Sequence, residues 1–182
     1  MNAIATEAGP ELDAVRDMVR SCMQCGTCTA SCPNAAAMDV SPRRLWRLLT
    51  TGHAGEALAS RSFWLCSSCY ACTLRCPRGL PLTDAMAALK RLASRHDPAA
   101  AREGAAFYGT FMDNVRRNGR VQETDLMGRY FWAMKNPLLP LTFAPLGLRL
   151  FAKGKLHRPA TEQRGRLGPM FATAAKDEGD RS

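Results

Sequence analysis

The sequence predicts a mainly α-helical protein built around two cysteine-rich loops. Three observations carry that expectation: apolar residues recur at helical spacing along most of the chain, strand signals are scarce, and all eight cysteines fall into two copies of one run. Cys22, Cys25, Cys28 and Cys32 are followed by Pro33, and Cys66, Cys69, Cys72 and Cys76 by Pro77. Each cysteine of the second run lies 44 residues after its counterpart in the first.

The helices follow in order. Leu12, Val15, Met18 and Val19 share a face, with Glu11 and Asp13 before them and Arg16 and Arg20 near the end. That charge order suits a helix dipole, and the helix delivers the chain to Cys22. Ser41-Pro42 reads as a cap followed by proline at the first helical position; Leu45, Trp46, Leu48 and Leu49 come next, and Gly52 ends the segment. A short helix is predicted over residues 56–61. Thr83 reads as the cap of a further helix with Met86, Leu89, Leu92 and Ala93 on one face and Lys90, Arg91 and Arg95 turned outward. His96-Asp97-Pro98 is a break. Beyond it, Phe107, Phe111 and Val115 recur at helical spacing up to Asn118-Gly119, and Thr124 caps a helix carrying Leu126, Met127, Tyr130, Phe131 and Met134.

Both cysteine runs read C-x2-C-x2-C-x3-C-P, the spacing of paired cubane iron–sulfur clusters. Three cysteines two residues apart can wrap three corners of one cubane, and the fourth cysteine of each run ligates the other cluster. Proline then fixes the chain's exit direction. The expected ligands are therefore Cys22, Cys25, Cys28 and Cys76 for the first [4Fe–4S] cluster, and Cys66, Cys69, Cys72 and Cys32 for the second. With 33 residues of helical pattern between Cys32 and Cys66, the helical type of ferredoxin is favoured over the short β-rich type. Gly26 suits a turn in which backbone N–H groups approach the cluster. Trp46, Trp64 and Tyr70 are candidates to shield the clusters, although plain packing is the commoner role of such side chains.

Other uses of eight cysteines fit less well. The N-terminus shows no basic start followed by an apolar run, so a reducing cytoplasm is expected and disulfides are not. Zinc ribbons offer two C-x2-C knuckles, four ligands in all, not triplets with a trailing Cys-Pro. The formal charge of +9 admits nucleic acid as a partner, but two cubanes of about −2 each would lower it to about +5. The arginines are also scattered, without a basic block interleaved with aromatics. His53, His96 and His157 are isolated, and no Ser/His/Asp set or glycine-rich phosphate loop occurs. Electron transfer is the chemistry left to the chain.

At CMQCGTCTASCP, and more so at FWLCSSCYACTLRCPRGLPLTDAMAALKRLA, the chain resembles the HdrC-type iron–sulfur subunit of heterodisulfide reductase and its bacterial relatives. The resemblance runs through SPRRLWRLL and covers residues 15–95; Gln24-Cys25-Gly26, Trp64-Leu65 and Arg78-Gly79 are its specific marks. It implies a helical ferredoxin that relays electrons between a flavin-bearing subunit of the complex and a cysteine-rich catalytic one, with no bond chemistry of its own. A cluster subunit of the succinate dehydrogenase or fumarate reductase type is the alternative, although its missing cysteine and plant-type domain have no counterpart here. A zinc-bearing basic module that binds nucleic acid is a more distant one.

Residues 136–151 are very apolar but fall short of the ~20 residues a membrane helix needs, and Pro137, Pro140 and Pro145 interrupt them, so no transmembrane segment is expected. An exposed apolar segment more often marks a partner surface, and the plain alternative is that the helical lobe packs onto the cluster domain. The expected organisation is a flexible N-terminus over residues 1–9, the two-cluster domain over 10–97, a partner-docking helical lobe over 98–152, and a polar tail over 153–182 that is loose or wraps a neighbour.

Overall fold

Ten α-helices and two short 3-10 turns account for the regular structure in a computed structural model that describes residues 9–96, 98–134, 138–156 and 163–179. No strand occurs among the described residues. His157, Asp97, Pro137 and most of the expected N-terminal segment lie outside them. Contacts divide the chain into two units, with the boundary between Arg102 and Glu103.

In the first unit, α1 (Gly9–Val19) buries Leu12, Val15 and Val19, one stripe of a 3.6-residue period. The tight loop after it runs into α2 (Thr27–Ala30). Next, α3 (Pro42–Thr50) buries Leu45, Trp46 and Leu49; Ser41 is its N-cap residue by backbone geometry, its carbonyl accepting from Leu45 N–H at 2.9 Å. Gly52, at φ 85°, ends this helix in the left-handed region while His53 N–H closes back onto Leu48 O at 2.8 Å. The short helix α4 spans Ala54–Ala59, two residues earlier than the sequence predicts. It stops because Arg61 N–H is taken by the Asp39 carboxylate, at 3.0 Å to Oδ2.

A four-residue helix, α5 (Ala71–Leu74), follows the second loop, and α6 (Leu82–His96) closes the unit, burying Leu82, Ala85, Met86, Leu89, Leu92 and Ala93. Helix α1 packs along α6, and Glu11 near the start of α1 pairs with Arg95 at the end of α6. Two sequence expectations for α6 are corrected. Thr83 lies inside the first turn, and its hydroxyl meets Thr73 Oγ1 at 2.8 Å. Lys90 does not point outward: it is partly buried, and its ammonium donates to Cys66 O at 2.8 Å because α6 lies directly behind the second cysteine loop.

The second unit is built differently. Helices α7 (Pro98–Asn118) and α8 (Glu123–Met134) meet at a corner around Gly119, φ 73°. Phe107 packs against Tyr130 edge-on with centroids 5.8 Å apart, and Phe131 meets Phe143 at 5.7 Å. Asn114, Asn118 and Gln122 are buried at the corner. Helix α9 (Leu139–Ala152) runs through Pro145 instead of breaking there, and Pro140 falls at its start, where a missing N–H costs nothing. At 14 residues, about 21 Å long, it is too short to span a bilayer core. No helix among the described residues is long and apolar enough to cross a membrane. Within residues 153–182, Gly168–Gly179 form α10.

Candidate metal centre

Each cysteine run is a tight loop leading into a four-residue helix, and the two backbones repeat. Gln24 (φ 59°) and Gly26 (φ 82°) are left-handed in the first loop; Ser68 (φ 53°) and Tyr70 (φ 60°) occupy the equivalent places in the second. Three of these four residues carry a Cβ, which costs roughly 1–2 kcal/mol apiece in that conformation, so tertiary contacts must hold the loops. The hydrogen bonds repeat as well. Ala30 N–H donates to Gly26 O at 3.1 Å and Leu74 N–H to Tyr70 O at 3.0 Å, bending the chain around each set of thiols.

Two threonines anchor these bends. Thr29 Oγ1 accepts from the N–H of Arg43 in the first turn of α3 at 3.0 Å, and Thr73 Oγ1 accepts from the N–H of Thr83 in the first turn of α6 at 2.9 Å. Cysteine spacing alone does not reveal them. The repeat of Cys-Thr in CTASCP and CTLRCP is the signal that does. The segment after Cys32 is tied across to the second loop, where Asn34 Nδ2 donates to Leu65 O at 2.7 Å. Further along the same segment, Asp39 accepts from Ser62 Oγ at 2.6 Å and from the backbone of Val40 and Arg61. Burial pushes the Asp39 carboxyl up, but these bonds together hold it below its usual value.

This folding places the eight cysteines around two cavities. Cys22, Cys25, Cys28 and Cys76 line the first. Cys66, Cys69, Cys72 and Cys32 line the second, which Cys28 also borders. The fourth cysteine of each run thus joins the triplet of the other. The start of α6 separates the two spaces, with Leu82 facing the first and Thr83 and Met86 the second. Tyr70 lines the second cavity, whereas Trp46 is wholly buried in the core and Trp64 packs against it, so of the three aromatic candidates only Tyr70 borders a site. His53 and His96 border neither; they contact Thr51 Oγ1 and Glu11.

Polar groups reach the sulfurs. Gln24 Nε2 donates to Cys22 Sγ at 3.5 Å, Thr27 Oγ1 lies 3.3 Å from Cys25 Sγ, and Thr83 Oγ1 lies 3.7 Å from Cys72 Sγ. The Thr27 hydroxyl holds the Cys25 thiol below its ordinary pKa. Burial pushes Cys28 up. It also raises Cys32, and the neighbouring sulfurs of Cys66, Cys69 and Cys72 push it further, a mark of how close that residue lies to the other run. Thiolates are soft ligands, and four around one cavity are the donor set an iron–sulfur cubane takes. The residues fit two such groups.

The family model of a 4Fe-4S dicluster domain matches residues 21–80, the span of both loops. The HdrC-type subunit of the ferredoxin:CoB-CoM heterodisulfide reductase of Methanosarcina mazei is 48% identical over 77 residues, 42% of this chain and 47% of that protein. Over the matched segments the chain is similar to the HdrC-type subunit of heterodisulfide reductase. The corresponding iron–sulfur subunit of the Methanopyrus kandleri CoB–CoM heterodisulfide reductase is 42% identical over 77 residues, covering 42% of this chain and 40% of its own length. A third HdrC-type protein, from Methanocaldococcus jannaschii, is 31% identical over 121 residues, 65% of this chain and 63% of that protein. The match therefore spans less than half the length of the first two relatives and under two thirds of the third.

Proposed function

We propose that this chain is the electron-relay subunit of a heterodisulfide-reductase-like complex. It holds two [4Fe–4S] clusters between the flavoprotein of such a complex and a cysteine-rich catalytic protein that acts on a disulfide or sulfur carrier. The supporting observation is the crossed lining of the two cavities, three thiols from one run and the fourth from the other. In this reading Cys22, Cys25, Cys28 and Cys76 hold one cluster, and Cys66, Cys69, Cys72 and Cys32 hold its twin.

When bound, the clusters supply one-electron redox chemistry. The chain's own residues do the positioning. Left-handed residues in each loop turn three thiols inward, and Thr29 and Thr73 fix those turns to α3 and α6. Gln24, Thr27 and Thr83 donate to thiolates and so favour extra negative charge at the site. Leu82 and Met86 keep water from the inner walls. Cys28 borders both cavities, which keeps the two sites adjacent, as a relay requires. Substrate chemistry is assigned to the partner, and the assembly to a cytoplasmic hetero-oligomer in which residues 98–152 form the docking lobe.

Replacing Cys32 with serine tests the crossed arrangement. Paramagnetic resonance of the reduced variant should show the cluster of the second run perturbed and that of the first intact; the reverse pattern overturns the assignment. Anaerobic reconstitution should return about eight irons per chain with broad absorbance near 400 nm, and a flavoprotein and a cysteine-rich protein should copurify.

A further inference from the structure

The borders of the two cavities differ in chemistry. Arg43 and Arg78 line the first; both are exposed, and neither guanidinium has a hydrogen-bond or ion-pair partner among the described residues. Arg16 and Arg95 in the same unit are by contrast paired, with Asp13 at 2.7 Å and with Glu11. Arg43 is held in place at its base: its N–H donates to Thr29, and its Cδ lies 3.6 Å from where a Cβ on Gly26 would stand. Cys25, exposed, and Met23, 62% exposed, belong to the same lining. Among the described residues, the second cavity has no charged side chain in its lining, and Leu65, Tyr70 and Leu74 are exposed around its loop.

An exposed sulfur ligand, an apolar side chain and two free cations on one border are what a charge-steered electron-transfer contact needs. Long-range attraction orients the encounter, and the apolar centre excludes water where the cofactors approach. Building on the relay reading, we propose that the border of the first cavity docks an acidic patch of a redox protein, with Arg43 and Arg78 as its cationic contacts and Cys25 as the ligand nearest the partner. The second loop, which exposes Leu65, Tyr70 and Leu74 and has no charged side chain in its cavity lining, is left to a partner of different surface chemistry.

The test is binding of a small acidic ferredoxin to the cluster-loaded full chain, measured by titration calorimetry at several salt concentrations. Wild-type affinity should fall steeply with salt. R43E/R78E should weaken it by about tenfold or more, the size expected for losing close charge pairs. R43K/R78K should restore most of it, and R91E, an exposed charge on α6 outside the lining, should change it little. Unchanged affinity in R43E/R78E, or an equal loss in R91E, overturns the docking assignment. If R43E/R78E does not retain its visible absorbance, the neutral pair R43Q/R78Q is read by the same criteria. Failure of the wild-type chain to be reduced by dithionite would instead remove the relay reading.

Discussion

If the second cavity holds a cluster as proposed, Lys90 is placed to act on it without ligating it. Its ammonium donates to Cys66 O at 2.8 Å from a partly buried position on α6. Burial lowers its pKa from the ordinary lysine value, while the Cys66 sulfur pulls the other way. A cation there is screened less than one in open water, and it favours the reduced, more negative cluster. Lys90→Met should lower the midpoint potential of the second cluster by about 60 mV, a tenfold shift in a one-electron equilibrium, and Lys90→Arg should recover most of that. Redox titration followed by paramagnetic resonance checks it; equal potentials in wild type and Lys90→Met would reduce the residue to a loop anchor.

Among the elements, the corner between α7 and α8 is held by polar contacts where the sequence suggests only apolar packing. Asn114, fully buried, accepts from Gln122 N–H at 2.8 Å and donates to Asp125 Oδ2 at 2.7 Å. Asn114→Ala would strand those groups and should cost about 2–3 kcal/mol, read as a lower thermal midpoint of the second unit. The carboxyls of Asp113 and Asp125 are raised by burial, but Arg117 and Arg116 beside the first, and Arg129, Asn118 and Asn114 beside the second, outweigh this and hold both below the ordinary range. Depressed folded values mean that the stability they add is present at neutral pH and lost as pH falls through those values, below about 4. Asp125→Asn should therefore lower stability at pH 7 and flatten its loss in acid, followed by circular dichroism. Gly119 is equally constrained. A Cβ there would meet Gln163 O at 2.5 Å.

For the whole molecule, the division near Arg102 separates a unit whose core adjoins the thiols from one with its own polar corner and aromatic contacts. Cys28 and Met86 belong both to the buried core and to cavity linings, so metal bound as proposed would be coupled to the packing of the first unit. Stripping iron with a chelator should bleach the visible absorbance and remove only part of the helical signal, since α7 to α9 have no thiol to lose. Complete loss of helix on iron removal would show that the second unit depends on the first.

The helical class, the two loops and the sites' donor chemistry were legible in the chain because each rests on local spacing: a 3.6-residue apolar period, caps beside it, and thiols two residues apart. Most helix positions followed, with shifts of a residue or two where a side chain such as Asp39 claimed a backbone N–H. What only the tertiary structure decided are the contacts between distant segments: Thr73 held to Thr83, Lys90 turned behind Cys66, Asn114 buried at a corner, and Arg43 and Arg78 brought to one border. Periodicity records which face of a helix is apolar. It carries nothing about which polar group from another segment will meet that helix, because that depends on how whole elements pack.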